Sequence, residues 1–102
     1  MFEVRYSEKA KKVLFNLKGG NRKYAALILD KIDFCLGEHL FDYVAQCDKK
    51  ILKGSKEGVC RLHIQRKYTA IYTIEGESPH RYAQIHKIMG FEEAHQKYDQ
   101  LL

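Results

Sequence analysis

The spacing of apolar positions changes three times along the chain, and each change predicts an element. Phe2, Val4 and Tyr6 alternate with Glu3 and Arg5, the pattern of a half-buried opening strand. Ser7 follows as an N-cap residue, with Glu8 in the first turn behind it. From Glu8 to Leu17 the period becomes helical: Ala10, Val13, Leu14 and Leu17 share one face, while Lys9, Lys11 and Lys12 lie largely off it. Gly19-Gly20 is expected to end this helix, and Asn21 can cap the next. Between Arg22 and Leu36 the stripe Tyr24, Ala25, Ile28, Leu29, Ile32 and Cys35 predicts a second helix of about four turns. A break this short predicts an antiparallel helical hairpin.

The stretch GEHLFDYVAQCDKK keeps neither period. Its apolar residues Leu40, Phe41, Tyr43 and Val44 are expected to plug the core from a loop or a short helical turn. Beyond it the period is two. Cys60, Leu62 and Ile64 face one way, and Val59, Arg61, His63 and Gln65 face the other. The run YTAIYTI, rich in β-branched and aromatic residues, predicts a partner strand, with the hairpin turning near Gln65 to Lys67. After the turn EGESPH, the segment RYAQIHKIM predicts another strand, with Ala83, Ile85 and Lys87 on one face and Tyr82, Gln84 and His86 on the other. Gly90 breaks it, and FEEAHQKYDQLL predicts a terminal helix. The order β-α-α-β-β-β-α defines an α+β fold in a single domain spanning 1–102. Its helices should cover one face of an antiparallel-rich sheet and leave the other face open and basic.

Composition narrows the class. With 45% apolar and 30% charged residues, 102 residues make one compact globule rather than a disordered chain. The three cysteines, Cys35, Cys47 and Cys60, form no CxxC pair and leave one over, so they read as reduced, mostly buried thiols of a cytosolic protein. MFEVRYSEKAKK has no apolar signal core, and no later run is long enough to span a bilayer, so the expectation is a cytoplasmic chain with no membrane partner.

Lysine and arginine exceed aspartate and glutamate, 18 against 13. The placement of that excess matters more than its size. Lys49, Lys50, Lys53, Lys56, Arg61, Arg66 and Lys67 crowd one stretch that holds a single acidic residue, Glu57. Such a local field favours a polyanion or an acidic protein segment; a solvated basic loop and strand is the plain alternative. A metal site is not expected. Cys60 and His63, three apart on a strand, point to opposite faces, and there is no HExxH or paired-cysteine motif. KGGNRK lacks phosphate-loop spacing, so no cofactor is expected either.

Element order and motif together resemble the RelE/ParE superfamily of bacterial and archaeal toxins. The residues that carry the resemblance are Leu52-Lys53-Gly54, the strand Arg61-Leu62-His63-Ile64, and the aromatic-led strand from Tyr68 to Ile71-Tyr72. The ending IHKIMGFEEAHQKY also resembles the family's last strand, its glycine and its closing tyrosine. The match runs in order over nearly the whole chain. It implies a protein held silent by a cognate acidic antitoxin. In the RelE-like branch it also implies an endoribonuclease, or mRNA interferase, that meets mRNA on the ribosome and inhibits translation. The ParE-like branch shares the fold and instead poisons DNA gyrase without an RNase site.

RelE-like enzymes place two basic residues at alternate positions of the second strand, which here are Arg61 and His63, and a closing aromatic, here Tyr98. They also open the third strand with an arginine, where this chain has Thr69, and place a late arginine after the glycine, where it has Phe91-Glu92. Arg66, Lys67, His86 or Lys87 would have to supply the missing charge from neighbouring positions, or the chemistry is weak or lost.

Metal-free RNA cleavage uses the ribose 2'-hydroxyl as nucleophile and needs a base, an acid and cations around the phosphate. An imidazole titrating near neutrality suits proton transfer, and a permanently charged guanidinium suits the phosphate. Those roles fall to His63 and Arg61, with Tyr98 or His95 as second acid/base or stacking partner. RNA contacts are expected from Lys53, Lys56, Arg66, Lys67, Tyr82, His86 and Lys87.

Overall fold

The structure is a computed structural model and describes residues 1–20, 22–52 and 58–90. Five strands form one sheet: β1 (Glu3–Tyr6), β2 (Asp48–Ile51), β3 (Cys60–Ile64), β4 (Tyr68–Glu75) and β5 (Tyr82–Gly90). Their order across the sheet is β1-β5-β4-β3-β2, with β1 parallel to β5 and every other pair antiparallel. Helices α1 (Glu8–Gly20) and α2 (Arg22–Ile32) form the expected pair, and α2 runs on into a π-helical turn, Asp33–Glu38. The α+β class stands. The expected terminal helix, with His95 and Tyr98, lies outside the described residues, as do Lys53 and Lys56.

The local chemistry explains the elements. Ser7 caps α1 as expected: its Oγ accepts from the Ala10 amide at 3.1 Å, and its hydroxyl donates to the His86 carbonyl at 2.6 Å. One side chain therefore starts the helix and ties it to β5. The core lies between the helices and one sheet face, where Ile28, Ile32, Leu36, Leu62, Ile64 and Ile85 are fully buried. Burying a side chain of this size contributes about 1.5–3 kcal/mol.

Helix α1 ends at Gly20, as the glycine pair predicts. Three other details differ from the sequence-based expectation. The second helix leaves α geometry at Asp33, where the wider π-helical turn buries Cys35, Leu36 and Gly37 together. The end of the ambiguous stretch is strand β2, whose sequence Asp-Lys-Lys-Ile carries no apolar alternation because it sits at the sheet edge. Finally, the cysteines are not all thiols. Cys35 and Cys47 form a disulfide, and only Cys60 is free and buried. The π-helical turn and the start of β2 bring these two sulfurs together across twelve positions of chain, a pairing that sequence spacing does not reveal.

A bulge also reassigns one face of β5. Ile71 pairs with Lys87 and Tyr72 with Ile85, so His86 is the extra residue. Past a bulge the alternation inverts. Ile88, not Lys87, is therefore buried in the core, and Lys87 moves to the outer face opposite Ile71.

Candidate functional site

On β3, Cys60, Leu62 and Ile64 join the core, which turns Arg61 and His63 to the opposite face, as expected. Residues two apart on a strand stand about 6.5–7 Å apart at the backbone, a span that can embrace one phosphate. The ladder shows what lies beside them. One row across the sheet reads Lys50, Arg61, Ile71 and Lys87; the next reads Asp48, His63, Thr69 and Met89. Neighbouring strands lie about 4.8 Å apart, so three cations and one imidazole fall within a patch that a single phosphodiester segment can cover.

Lys50 and Asp48 were missed as site residues. Their only signal is register, because the four-residue strand that places them shows no apolar alternation. Asp48 matters most. Arg61 Nη1 donates to Asp48 Oδ1 at 3.1 Å and to the Asp48 carbonyl at 3.2 Å. Arg61 thus reaches the outer face with one side already engaged, its side chain 14% exposed against 64% for Asp48.

The outer face is not open across its width. His63, Thr69, Ile71 and Thr73 are buried. Thr69, standing where the resemblance asks for an arginine, is fully buried, and its hydroxyl lies 2.8 Å from His63 Nδ1. At this position the chain carries, in place of an arginine, a hydroxyl that meets the imidazole ring.

The remaining expected residues spread further. His86 is exposed on the bulge, with Nε2 2.8 Å from Thr73 Oγ1, one row beyond Lys87. Tyr82 does not join the patch. It pairs across the sheet with Glu75 and Glu3, and the Arg5 guanidinium sits 3.9 Å from the centre of its ring. Arg66 and Lys67 occupy the exposed tip of the β3–β4 hairpin, where Lys67 bonds the Tyr24 hydroxyl and stands 4.3 Å from the Tyr24 ring centre. That bond pulls the Tyr24 phenol below its ordinary value and raises Lys67 above its own.

Cys60 is buried behind this face, and its Sγ donates to the Gly58 carbonyl at 3.3 Å. Burial raises both this thiol and the Tyr72 phenol beside it. Among the described residues no group of three histidine, cysteine or acidic side chains is placed to hold a metal ion. No helix among them is long and apolar enough to cross a membrane.

Comparison with solved structures shows that several toxins share this fold, a helical hairpin laid on one face of a five-stranded mixed sheet. The YoeB/ParE toxin from Agrobacterium tumefaciens superposes with a TM-score of 0.70 at 12% identity, over 87% of this chain and 98% of that one. A metal-bound toxin from Helicobacter pylori gives 0.68 at 16% identity, over 91% and 98%. The E. coli DinJ-YafQ complex gives 0.65 at 13% identity, over 91% and 97%. No family model and no curated protein matches the chain.

Proposed function

We propose that the chain is the toxin of a type II toxin–antitoxin pair and acts as a RelE-like, metal-independent endoribonuclease on mRNA, inhibiting translation in the cytoplasm, with the ribosome as the place of cutting. The observation that carries this reading is the pair of ladder rows that puts Lys50, Arg61 and Lys87 in line beside His63. A phosphodiester bound along that line meets Arg61 as its clamp, with Lys50 and Lys87 flanking it. His63, oriented by Thr69, transfers the proton at the ribose 2'-hydroxyl or at the leaving oxygen. The partner that silences such a face is an acidic antitoxin; a structural neighbour, E. coli DinJ-YafQ, is a toxin–antitoxin complex.

Two observations favour a second reading. Thr69 replaces the expected arginine and Asp48 already holds Arg61, so a ParE-like or attenuated protein that binds a target such as gyrase fits the same fold. Induced expression separates the two. The nuclease reading expects mapped breaks in mRNA and relief of growth arrest in the Arg61→Ala, His63→Ala double variant. Intact mRNA with induction of DNA-damage signals, or arrest that persists in the double variant, overturns it in favour of the second.

A further inference from the structure

The tip of the β3–β4 hairpin holds a second cluster that the ladder rows do not include. Its turn places Gln65 at φ 52° and Arg66 at φ 57°, two consecutive non-glycine residues in the left-handed region. Hairpin turns of this shape favour Asn-Gly because a side chain there is strained. Strain of this kind persists where the surroundings over-determine it, and it concentrates at functional sites.

The strained turn leads into Lys67, which lies against a helix from elsewhere in the chain. Lys67 reaches across forty-three positions to the Tyr24 hydroxyl on α2. The Tyr24 and Tyr68 rings lie 6.0 Å apart, tilted by 58°. Arg22 and Lys23 occupy the first turn of α2, which carries no acidic residue. None of the ion pairs among the described residues involves Arg22, Lys23, Arg66 or Lys67. Lys67 and two phenol rings thus meet at an exposed end of the sheet, with Arg66 beside Lys67 on the turn and Lys23 near Tyr24; among the described residues the Lys67 ammonium bonds the Tyr24 phenol and no carboxylate.

We propose that this cluster is a nucleotide subsite for single-stranded RNA, in which Arg66 and Lys67 take a backbone phosphate and the Tyr24–Tyr68 pair provides the surface on which a base stacks. Extending the Arg61–His63 strand leads directly into the turn, so RNA leaving the outer face passes round the end of the sheet over the tip. The inference rests on RNA being the ligand of that face. Stacking on an aromatic ring tolerates any base, and cations over ring faces add to it. On binding, Lys67 exchanges the phenol for a phosphate, and the Tyr24 hydroxyl loses the partner that lowers its pKa.

The test is fluorescence anisotropy with a 2'-O-methylated RNA dodecamer, which binds but is not cut, measured across a salt series. Arg66→Gln with Lys67→Gln, both exposed, should weaken binding at least tenfold and flatten the log–log salt slope by about 0.7, the value for one neutralised phosphate on a single strand. Tyr24→Leu should lose about 5–150-fold, the range for one stacked base, while Tyr24→Phe should stay near wild type. RNA should also raise the Tyr24 phenol pKa, read from its ring carbon resonance. Tip variants that bind like wild type while Arg61→Gln with His63→Gln does not would overturn the subsite and leave the nuclease reading standing. Tip-dependent binding of an unmethylated RNA that is never cut would uphold the subsite and remove the nuclease reading. Failure of the wild-type protein to bind the dodecamer would overturn the subsite.

Discussion

Replacing Lys49 by methionine tests how β2 is held. The Lys49 ammonium faces four backbone carbonyls, those of Cys35 at 3.3 Å, Leu40 at 3.3 Å, Asp42 at 3.2 Å and His39. These carbonyls belong to the π-helical turn and the loop that follows it, so one side chain gathers acceptors from a segment with little regular structure of its own. An ammonium has three protons, and a hydrogen bond to a charged group contributes about 1.5–3 kcal/mol. The site is only partly buried, and desolvation lowers the Lys49 pKa, so part of the gain is offset. Taking about 1 kcal/mol for each of three donors gives a net loss of about 3 kcal/mol. Methionine keeps most of the apolar stem, so packing contributes little to the difference. Urea unfolding with the disulfide intact should show a midpoint lower by about 2 M, for a slope of roughly 1.5 kcal/mol per molar. Amide exchange should accelerate between residues 39 and 42. A loss below about 1 kcal/mol would refute the claim that the ammonium organises this loop, because leaving even one carbonyl unsatisfied costs about that much.

Other predictions follow from single contacts. Tyr6 Oη is buried and finds no hydrogen-bond partner among the described residues, so Tyr6→Phe should stabilise the fold by about 1 kcal/mol in urea titration; destabilisation would mean the hydroxyl is satisfied. Burial raises the Tyr6 phenol to about 12. The folded state therefore holds this proton longer than the unfolded chain does. The resulting stability is present below about pH 10 and lost as pH climbs towards about 12, and Tyr6→Phe should reduce that alkaline loss. Reducing the Cys35–Cys47 disulfide, which closes a loop of twelve positions, should cost about 2–3 kcal/mol, read as a lower urea midpoint with dithiothreitol; an unchanged midpoint would show that the pair contributes nothing. Asp48→Asn removes the charge that competes with phosphate for Arg61 and should tighten binding of non-cleavable RNA about 2–5-fold, the worth of a surface ion pair. Weaker binding would instead make Asp48 a positioning residue for Arg61.

Periodicity made the helical hairpin and strands β1, β3, β4 and β5 readable, because each buries at least one continuous apolar face. It failed where burial does not control the residue type. Strand β2 has an exposed edge and a lysine turned inward to carbonyls, so Asp-Lys-Lys-Ile looks like loop. The bulge at His86 shifted one face of β5, and no local residue announces it, since only the pairing with Ile71 and Tyr72 defines it. The site was half legible. Alternation alone put Arg61 and His63 on one side, but the buried surroundings of His63, the Thr69 hydroxyl on its ring and the carboxylate of Asp48 depend on neighbours brought together by the sheet. The disulfide escaped for a related reason: the helix widens at Asp33, and that change of geometry carries Cys35 towards β2.

Cys47, Asp48 and Lys49 are consecutive, and each fastens to something different: a sulfur, a guanidinium and a ring of carbonyls. Strand alternation sends them inward, outward and inward. A one-residue insertion or deletion just ahead of this triplet would therefore invert it, driving the carboxylate into the apolar interior and swinging the ammonium out beside Arg61. Point changes can loosen the three fastenings one at a time, but a shift in chain length undoes them together, so the spacing of this segment is less free to drift than its sequence.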